Sequence, residues 1–343
     1  MKQTPEPLLV VKNRSKIYQG RAQERLPILL PEGRPVVVVT DENLAATYPE
    51  LIGERPCCRI GRGEAIKNLA TVERLIREFL SLGVDRSWFV LAIGGGIVCD
   101  VAGFVASTYM RGLPFGFLPT SLLAQVDASV GGKNGVNIEG YKNMIGTFTQ
   151  PDFVLCDASL LRSLPEREFR AGLAEVVKTA IIGDAGLFVR LEENPAALTA
   201  ASESLLEEVV ARAVRVKATI VERDERERGE RRLLNLGHTF AHAIEKCCGR
   251  YNHGEAVAIG LGMATRVAVR RGVLTDQEAE RIVRLLQALG LPLACEVPLR
   301  DLVAAMARDK KGEGDRIAVI LPSGIGQCEI APMTLSEIEA MGK

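Results

Sequence analysis

Trp88-Phe89-Val90-Leu91-Ala92-Ile93-Gly94-Gly95-Gly96-Ile97-Val98-Cys99-Asp100 is the stretch from which the fold is read. Its apolar run does not alternate with polar residues, so it predicts a strand buried on both faces, as in a parallel sheet. Three glycines follow, and an apolar helix is expected from Ile97 to Ser107. Glycines in such a turn let the backbone approach a pyrophosphate, and the start of the next helix presents N–H groups and a favourable dipole. Upstream, Pro35-Val36-Val37-Val38-Val39-Thr40 reads as a second buried strand, ending in the polar Asp41-Glu42-Asn43. A helix is expected from about Ile66 to Leu82, with Leu69, Val72, Leu75, Ile76 and Phe79 on one face. Strand, helix, strand, glycine turn, helix is the order of a parallel-sheet α/β nucleotide-binding domain. The turn is not G-x-G-x-x-G, and by itself it fits a plain turn as well as a cofactor site. Asp41, Asn43 and Asp100 have the chemistry to meet ribose hydroxyls.

Past Pro165 the texture becomes helical. Leu205, Val209, Val210, Ala213, Val216 and Ile220 follow a helical period, as do Ile282, Leu285, Leu286 and Leu289. We therefore expect an α/β domain over 1–164 and a mainly α-helical domain over 165–343. Glu222-Arg223-Asp224-Glu225-Arg226-Glu227-Arg228 reads as a solvated helix end or loop, and Ile317-Ala318-Val319-Ile320-Leu321-Pro322 as the clear strand of the second half.

The 343 residues hold 43 Lys plus Arg against 43 Asp plus Glu. That balance argues against a nucleic-acid partner or a polybasic membrane contact, both of which need excess positive charge. Aromatics at 5% with 33 glycines suit an α/β enzyme better than a base-stacking platform. The first residues lack an apolar signal-peptide core, and no run approaches the ~18–20 residues that span a bilayer, so a soluble, cytoplasmic protein is expected. Eight cysteines without a C-x-x-C pair read mostly as small buried hydrophobes.

All three histidines fall within sixteen positions, at His238, His242 and His253. Such clustering favours a metal or catalytic role over three unrelated surface residues. Spacing alone makes His238 and His242, one helical turn apart, the natural metal pair. Glu175, in the apolar run Ala174-Glu175-Val176-Val177-Lys178, is the candidate carboxylate, and an ion pair with Lys178 is its plain alternative. Lys133, Lys142, Lys178 and Lys217 stand beside glycine, asparagine or apolar residues rather than in charged runs. A lysine is usually solvated, but together they suit an anionic substrate.

These segments jointly resemble the 3-dehydroquinate synthase family, from about Val36 to about Gly326. The likeness is carried by Gly63-Glu64-Ala65-Ile66-Lys67, Gly94 to Asp100, Arg111-Gly112, Pro119-Thr120-Ser121 through Asp127, Gly131-Gly132-Lys133 and Lys142-Asn143-Met144-Ile145-Gly146. In the second half it is carried by Ala174 to Lys178, Arg231, Leu234 to Phe240, His253 to Val257 and Asp309-Lys310-Lys311.

The resemblance implies an NAD- and zinc- or cobalt-dependent lyase with its site between the two domains. It would close the ring of 3-deoxy-D-arabino-heptulosonate 7-phosphate, a sugar acid carrying a carboxylate and a phosphate. Carried over residue by residue, NAD would meet Asp41, Asn43, Glu64, Lys67, Gly95, Gly96, Asp100, Thr120, Ser121, Lys133, Lys142 and Ser163. The metal ligands would be Glu175, His238 and His253, which overrules the His238–His242 pair suggested by spacing. Substrate contacts would be Asp127, Lys133, Lys142, Asn143, Lys178, Lys217, Arg231, Asn235, His242 and Lys310 or Lys311. Of these, Lys133, Asn143, Lys178, Arg231, Asn235 and His242 are the catalytic candidates, His242 as a proton relay. Arg111 is expected to reach the substrate phosphate of a neighbouring subunit, implying a homodimer.

Two positions depart from the family pattern: Asn134 and Ser121 each stand where Thr is usual, and Ser121 keeps the hydroxyl. The rivals are another sugar phosphate cyclase, an NAD- and metal-dependent polyol dehydrogenase, and a catalytically silent binding protein. Retained Asp100, Asn143, Lys178, Arg231 and Asn235 favour the carboxylate-bearing substrate.

Overall fold

The computed structural model describes residues 5–309 and 316–342. The chain divides into two compact units, Met1–Leu164 and Pro165–Lys343, the first a parallel-sheet α/β domain and the second mainly helical.

The first unit is built on a seven-stranded sheet. Its strands are β1 (Leu9–Val11), β2 (Ser15–Gln19), β3 (Val36–Asp41), β4 (Cys57–Ile60), β5 (Phe89–Gly94), β6 (Phe115–Pro119) and β9 (Phe153–Cys156). A separate hairpin pairs β7 (Lys133–Ile138) with β8 (Tyr141–Phe148). The sheet order is β1-β2-β9-β6-β5-β3-β4, parallel everywhere except the β1–β2 pair. Strands β5, β6 and β9 are buried along their whole length, which is why they read as continuous apolar runs.

After β3 the chain adds β4 on one side and then crosses to add β5, β6 and β9 on the other. The direction of growth therefore reverses between β3 and β5, and in such sheets the crevice at the carboxyl ends of those two strands is where ligands bind. Asp41 ends β3 and Gly94 ends β5. The Thr40 hydroxyl donates to the Ile93 carbonyl at 2.7 Å, fastening the two strand ends together.

The helix over Leu69–Ser81 begins three residues later than the apolar period suggested, because the Asn68 side chain caps it by accepting the Thr71 N–H. The glycine-turn helix runs from Gly96 to Thr108. The β7–β8 hairpin crosses this helix at Gly103, where an added Cβ would collide with the Asn134 side chain. Asn134 is buried, and its amide donates to the Gly132 and Thr149 carbonyls at 3.0 and 2.9 Å. The amide thus pins the base of the hairpin from within.

In the second unit the Glu166–Gly183 helix is buried from Ala171 through Ile182, and Glu203–Arg223, His238–Cys247 and His253–Arg270 are its other long helices around the site. The expected late strand is β10 (Arg316–Gly324), but it pairs with a further strand, β11 (Gln327–Thr334). The polar, proline-containing β11 lacks the apolar run by which its partner was read. The charged run splits at Arg223, where the helix ends. It is not a merely solvated tail, because Asp224 accepts the N–H groups of Arg228, Gly229 and Arg231 at 3.0, 2.7 and 3.1 Å. All eight cysteines are free, but only Cys58, Cys99 and Cys156 are buried, so the expectation of mostly buried cysteines fails. No helix among the described residues is long and apolar enough to cross a membrane.

Candidate active site

Glu175 sits midway along the buried helix of the second unit and is itself fully buried. Two close helix crossings bring histidines to it. At Gly254 an added Cβ would strike the Ala171 backbone, so only glycine lets the N-terminus of the His253 helix press against the Glu175 helix. At Gly237, with φ of 78°, the chain turns in the left-handed region just before His238 and lies against Gly260 of the His253 helix. A capping box fixes the start of that helix: Asn252 accepts the Glu255 N–H and the Glu255 carboxylate accepts the Asn252 N–H, both at 2.9 Å.

One ligand atom from each of Glu175, His238 and His253 lies within 4.8 Å of the other two. Glu175 Oε1 is 3.4 Å from His253 Nε2 and 3.9 Å from His238 Nε2. Both imidazoles are steered the same way. His238 Nδ1 lies 3.2 Å from the Leu236 carbonyl oxygen, toward which it donates, and His253 Nδ1 lies 3.2 Å from Glu245 Oε1. With Nδ1 occupied, each ring is left to offer Nε2 toward Glu175. Two imidazoles and a carboxylate arranged in this way are a donor set that suits a divalent ion such as zinc.

Burial, with the Lys178 charge nearby, lowers the His238 pKa to about 3 and keeps the ring neutral. For His253 burial acts in the same direction, but the Glu175 and Glu245 carboxylates outweigh it and raise the pKa to about 9. Lys178 is buried one turn from Glu175 and forms an ion pair with it, so the plain alternative for Glu175 is realised alongside the histidine cluster. His242 packs edge-on against His238 with centroids 5.4 Å apart, but its side chain is exposed and it is not in the three-residue group. The geometry therefore differs from the His238–His242 pairing that spacing alone suggested.

Elsewhere in the second unit Lys217 and Arg231 are buried, and Arg231 donates to the Glu225 carbonyl. Asn235 donates to Glu227, a residue that sequence reasoning passed over as part of a charge run. Glu245 was missed too, since its role appears only when the His253 helix is placed beside its own. Lys310 and Lys311 lie outside the described residues.

The first unit gathers a second group. Gly95 is the N-cap of the glycine-turn helix and has no side-chain cap, leaving that helix start available to an anion. Thr120 follows β6 and donates its N–H to the Gly94 carbonyl at 2.9 Å, and an added Cβ on Gly95 would lie 3.5 Å from Ser121 Oγ. Asp41 caps the helix after β3, its Oδ1 accepting the Leu44 N–H at 2.9 Å, while Asn43 is exposed. Ser163 Oγ is 2.7 Å from the Tyr48 hydroxyl.

Lys67 is buried, and its Nζ bonds Asp100 Oδ2 at 2.5 Å and Asn143 Oδ1 at 2.6 Å. Burial raises the Asp100 pKa, and the Lys67 charge acts against that rise. Lys133, Lys142 and Asn143 are exposed on the hairpin, and Asp127 occupies a π-helical turn over Ala124–Ala128. Glu64 accepts from the Asn137 amide at 2.8 Å. Arg111 is exposed in a tight turn with a left-handed backbone, φ 67°.

Residues 57–171 match the family model described as 3-dehydroquinate synthase N-terminal, and residues 172–312 match the 3-dehydroquinate synthase C-terminal model. The chain belongs to the 3-dehydroquinate synthase family. It is 44% identical over 312 residues to the 3-dehydroquinate synthase of Desulforamulus reducens, covering 88% of this chain and 87% of that one. Among solved structures it is similar to a 2-epi-5-epi-valiolone synthase from Streptomyces hygroscopicus subsp. jinggangensis with NAD+ and Zn2+ bound (28% identity, TM-score 0.88, 97% of each chain). It is also similar to a 2-deoxy-scyllo-inosose synthase complexed with carbaglucose-6-phosphate, NAD+ and Co2+ (26% identity, TM-score 0.85, 95% of each chain). Membership of the 3-dehydroquinate synthase family makes the chain an enzyme, a lyase.

Proposed function

We propose that the chain converts 3-deoxy-D-arabino-heptulosonate 7-phosphate to 3-dehydroquinate and phosphate, with NAD and one divalent metal as cofactors, in the cytoplasm. The observation that carries this reading is the meeting of Glu175, His238 and His253 in a chain of this family. When bound, NAD takes up and returns a hydride, and zinc or cobalt supplies a Lewis acid.

Glu175 and the Nε2 atoms of His238 and His253 would hold the metal, with Glu245 and the Leu236 carbonyl bonding the two rings at Nδ1. The low pKa of His238 keeps it in the neutral, ligating form, whereas His253, held protonated by the two carboxylates, would release a proton to bind a metal. In the first unit, Gly95, Gly96 and the start of their helix would take the cofactor pyrophosphate, with Thr120 and Ser121 beside the same turn, and Asp41 and Asn43 would take a ribose. Glu64, Lys67, Asp100 and Ser163 would complete the nucleotide contacts.

A substrate with two anionic ends needs several cations. We assign Lys133, Lys142, Lys178, Lys217 and Arg231 to its carboxylate and phosphate. Asp127, Asn143 and Asn235 orient its hydroxyls. Elimination of phosphate requires a proton to leave the carbon beside a carbonyl, and His242, exposed at ring-contact distance from His238, is the group we assign to relay protons. The exposed Arg111 turn is assigned to the neighbouring subunit's substrate in a homodimer.

The test is a substrate panel of the heptulosonate phosphate, sedoheptulose 7-phosphate, glucose 6-phosphate and glycerol, each with NAD and zinc or cobalt. Phosphate release and 3-dehydroquinate formation on the first compound alone are expected. Turnover on either of the neutral sugar phosphates instead would assign the chain to another cyclase, and net NADH from glycerol would assign it to a polyol dehydrogenase.

A further inference from the structure

The candidate nucleotide and substrate residues of the first unit are joined through Asn137. Its backbone N–H donates to the Lys67 carbonyl at 2.8 Å, within a parallel bridge between Asn68 and Asn137. Its side-chain Oδ1 accepts the Asn143 N–H at 2.8 Å. Asn143 Oδ1 in turn accepts from Lys67 Nζ at 2.6 Å, closing a ring of three residues. The remaining half of the Asn137 amide donates to Glu64 Oε1 at 2.8 Å.

Each member is set by the others. Asn143 holds a left-handed backbone, φ 54°, a conformation that asparagine tolerates better than most residues but that still needs support. The bond from its N–H to Asn137 supplies that support at the hairpin tip. Lys67 has its ammonium fixed between Asp100 and Asn143, and its carbonyl held by Asn137. Apart from the buried Lys67, the ring lies at the surface: Asn137 is half-buried, and Asn143 and Glu64 are exposed. Water could satisfy the side chains of Asn137, Asn143 and Glu64, so their bonds do not exist to rescue buried groups. It instead fixes the position of side chains that would otherwise be free to turn.

We propose that Asn137 is a positioning residue that couples cofactor binding at Glu64 and Lys67 to substrate binding at Asn143, an inference that rests on the function proposed above. Two sites sharing one constrained element must influence each other reciprocally.

The two halves of the Asn137 amide can be separated by substitution. Asn137→Ala removes both side-chain bonds. Asn137→Asp keeps the acceptor for the Asn143 N–H but loses the donor and sets a carboxylate against Glu64. NAD affinity is measured by titration calorimetry, KM and kcat by phosphate release, and bound zinc by metal analysis as a check that the second unit is intact. At one to two hydrogen bonds of ordinary strength, Asn137→Ala is expected to weaken NAD binding and raise substrate KM by roughly five- to tenfold each. Asn137→Asp should weaken NAD binding at least as much while moving KM less, a split that a general loss of structure would not produce. Unchanged NAD affinity and KM in Asn137→Ala, or equal losses of both in the two variants, would overturn the inference alone. Wild-type protein that does not bind NAD would overturn the proposed function and this inference with it.

Discussion

The Glu175 cluster and the Asn137 ring are both groups of polar side chains, yet they are built in opposite ways. Glu175, His238 and Lys178 are buried on long helices, with glycines at the helix crossings that bring the histidines in. The ring of Lys67, Asn137 and Asn143 has only Lys67 buried, and the rest sits on an exposed hairpin. A buried cluster of this kind is costly unless its charges are compensated, so its geometry must be held by the surrounding core. The hairpin part of the ring costs little to expose and can be rearranged cheaply. Substitutions in the cluster should therefore damage metal binding and stability together, whereas substitutions at Asn137 should alter ligand binding with stability nearly intact.

The largest effect is expected from Glu175→Ala. It removes the carboxylate on which both imidazoles converge, so metal analysis should find no stoichiometric zinc, and phosphate release should fall on the order of a thousandfold. Normal zinc content in this variant would break the contrast at once. Next is Glu245→Gln, which leaves all three ligands but replaces the carboxylate behind His253. Competition with a chelator should show metal affinity reduced roughly 10- to 100-fold, and an unchanged affinity would mean that His253 needs no such support.

Lys67→Met probes the other region. NAD affinity should fall by about tenfold, as expected when a charged hydrogen-bonding partner is lost. The sign of its pH dependence follows from Asp100, whose pKa burial has already raised and Lys67 restrains. Without the lysine the carboxyl protonates at still higher pH, so the loss of affinity should deepen as pH falls. A loss independent of pH would separate Asp100 from nucleotide binding. Gly254→Ala returns to the cluster and acts on stability, because the new methyl meets the Ala171 backbone. Overpacking of this kind costs about 1–3 kcal/mol, read as a lower midpoint in denaturant. No shift would show that the close crossing of the two helices is not required.

Much of the α/β half was legible because its chemistry is local. Val36 to Val39 and Phe89 to Ile93 are apolar without alternation, and that pattern alone implies parallel strands covered on both faces. The glycine turn and the helix after it could be placed to within a residue or two. The hairpin was not seen as strands, since Lys133-Asn134-Gly135 and Lys142-Asn143 carry none of the β-branched residues by which strands are read. Its importance lies in contacts with Lys67 and Gly103, tens of positions away, which no window of sequence contains.

In the helical half the histidine cluster was legible, but its membership was not. Helical spacing puts His242 on the same face as His238, while the geometry completes the group with His253 from a different helix. That choice depends on how closely two helices cross, which is decided by the missing side chains of Gly237, Gly254 and Gly260. Family likeness supplied the ligand set that spacing did not. Glu227 and Glu245 stayed hidden for the same reason: each becomes significant only through a partner eight positions away, Asn235 and His253, once the chain has turned back on itself.

The central claim is that NAD is regenerated within each turnover rather than consumed. The most direct measurement supplies nucleotide-stripped enzyme with zinc, excess heptulosonate phosphate and NAD at a small fraction of the substrate concentration, following phosphate and absorbance at the NADH band together. Phosphate released in large excess over the NAD added, with no accumulation of NADH, is the predicted result. Phosphate release that stops at one equivalent per NAD, or NADH rising in step with product, would contradict it.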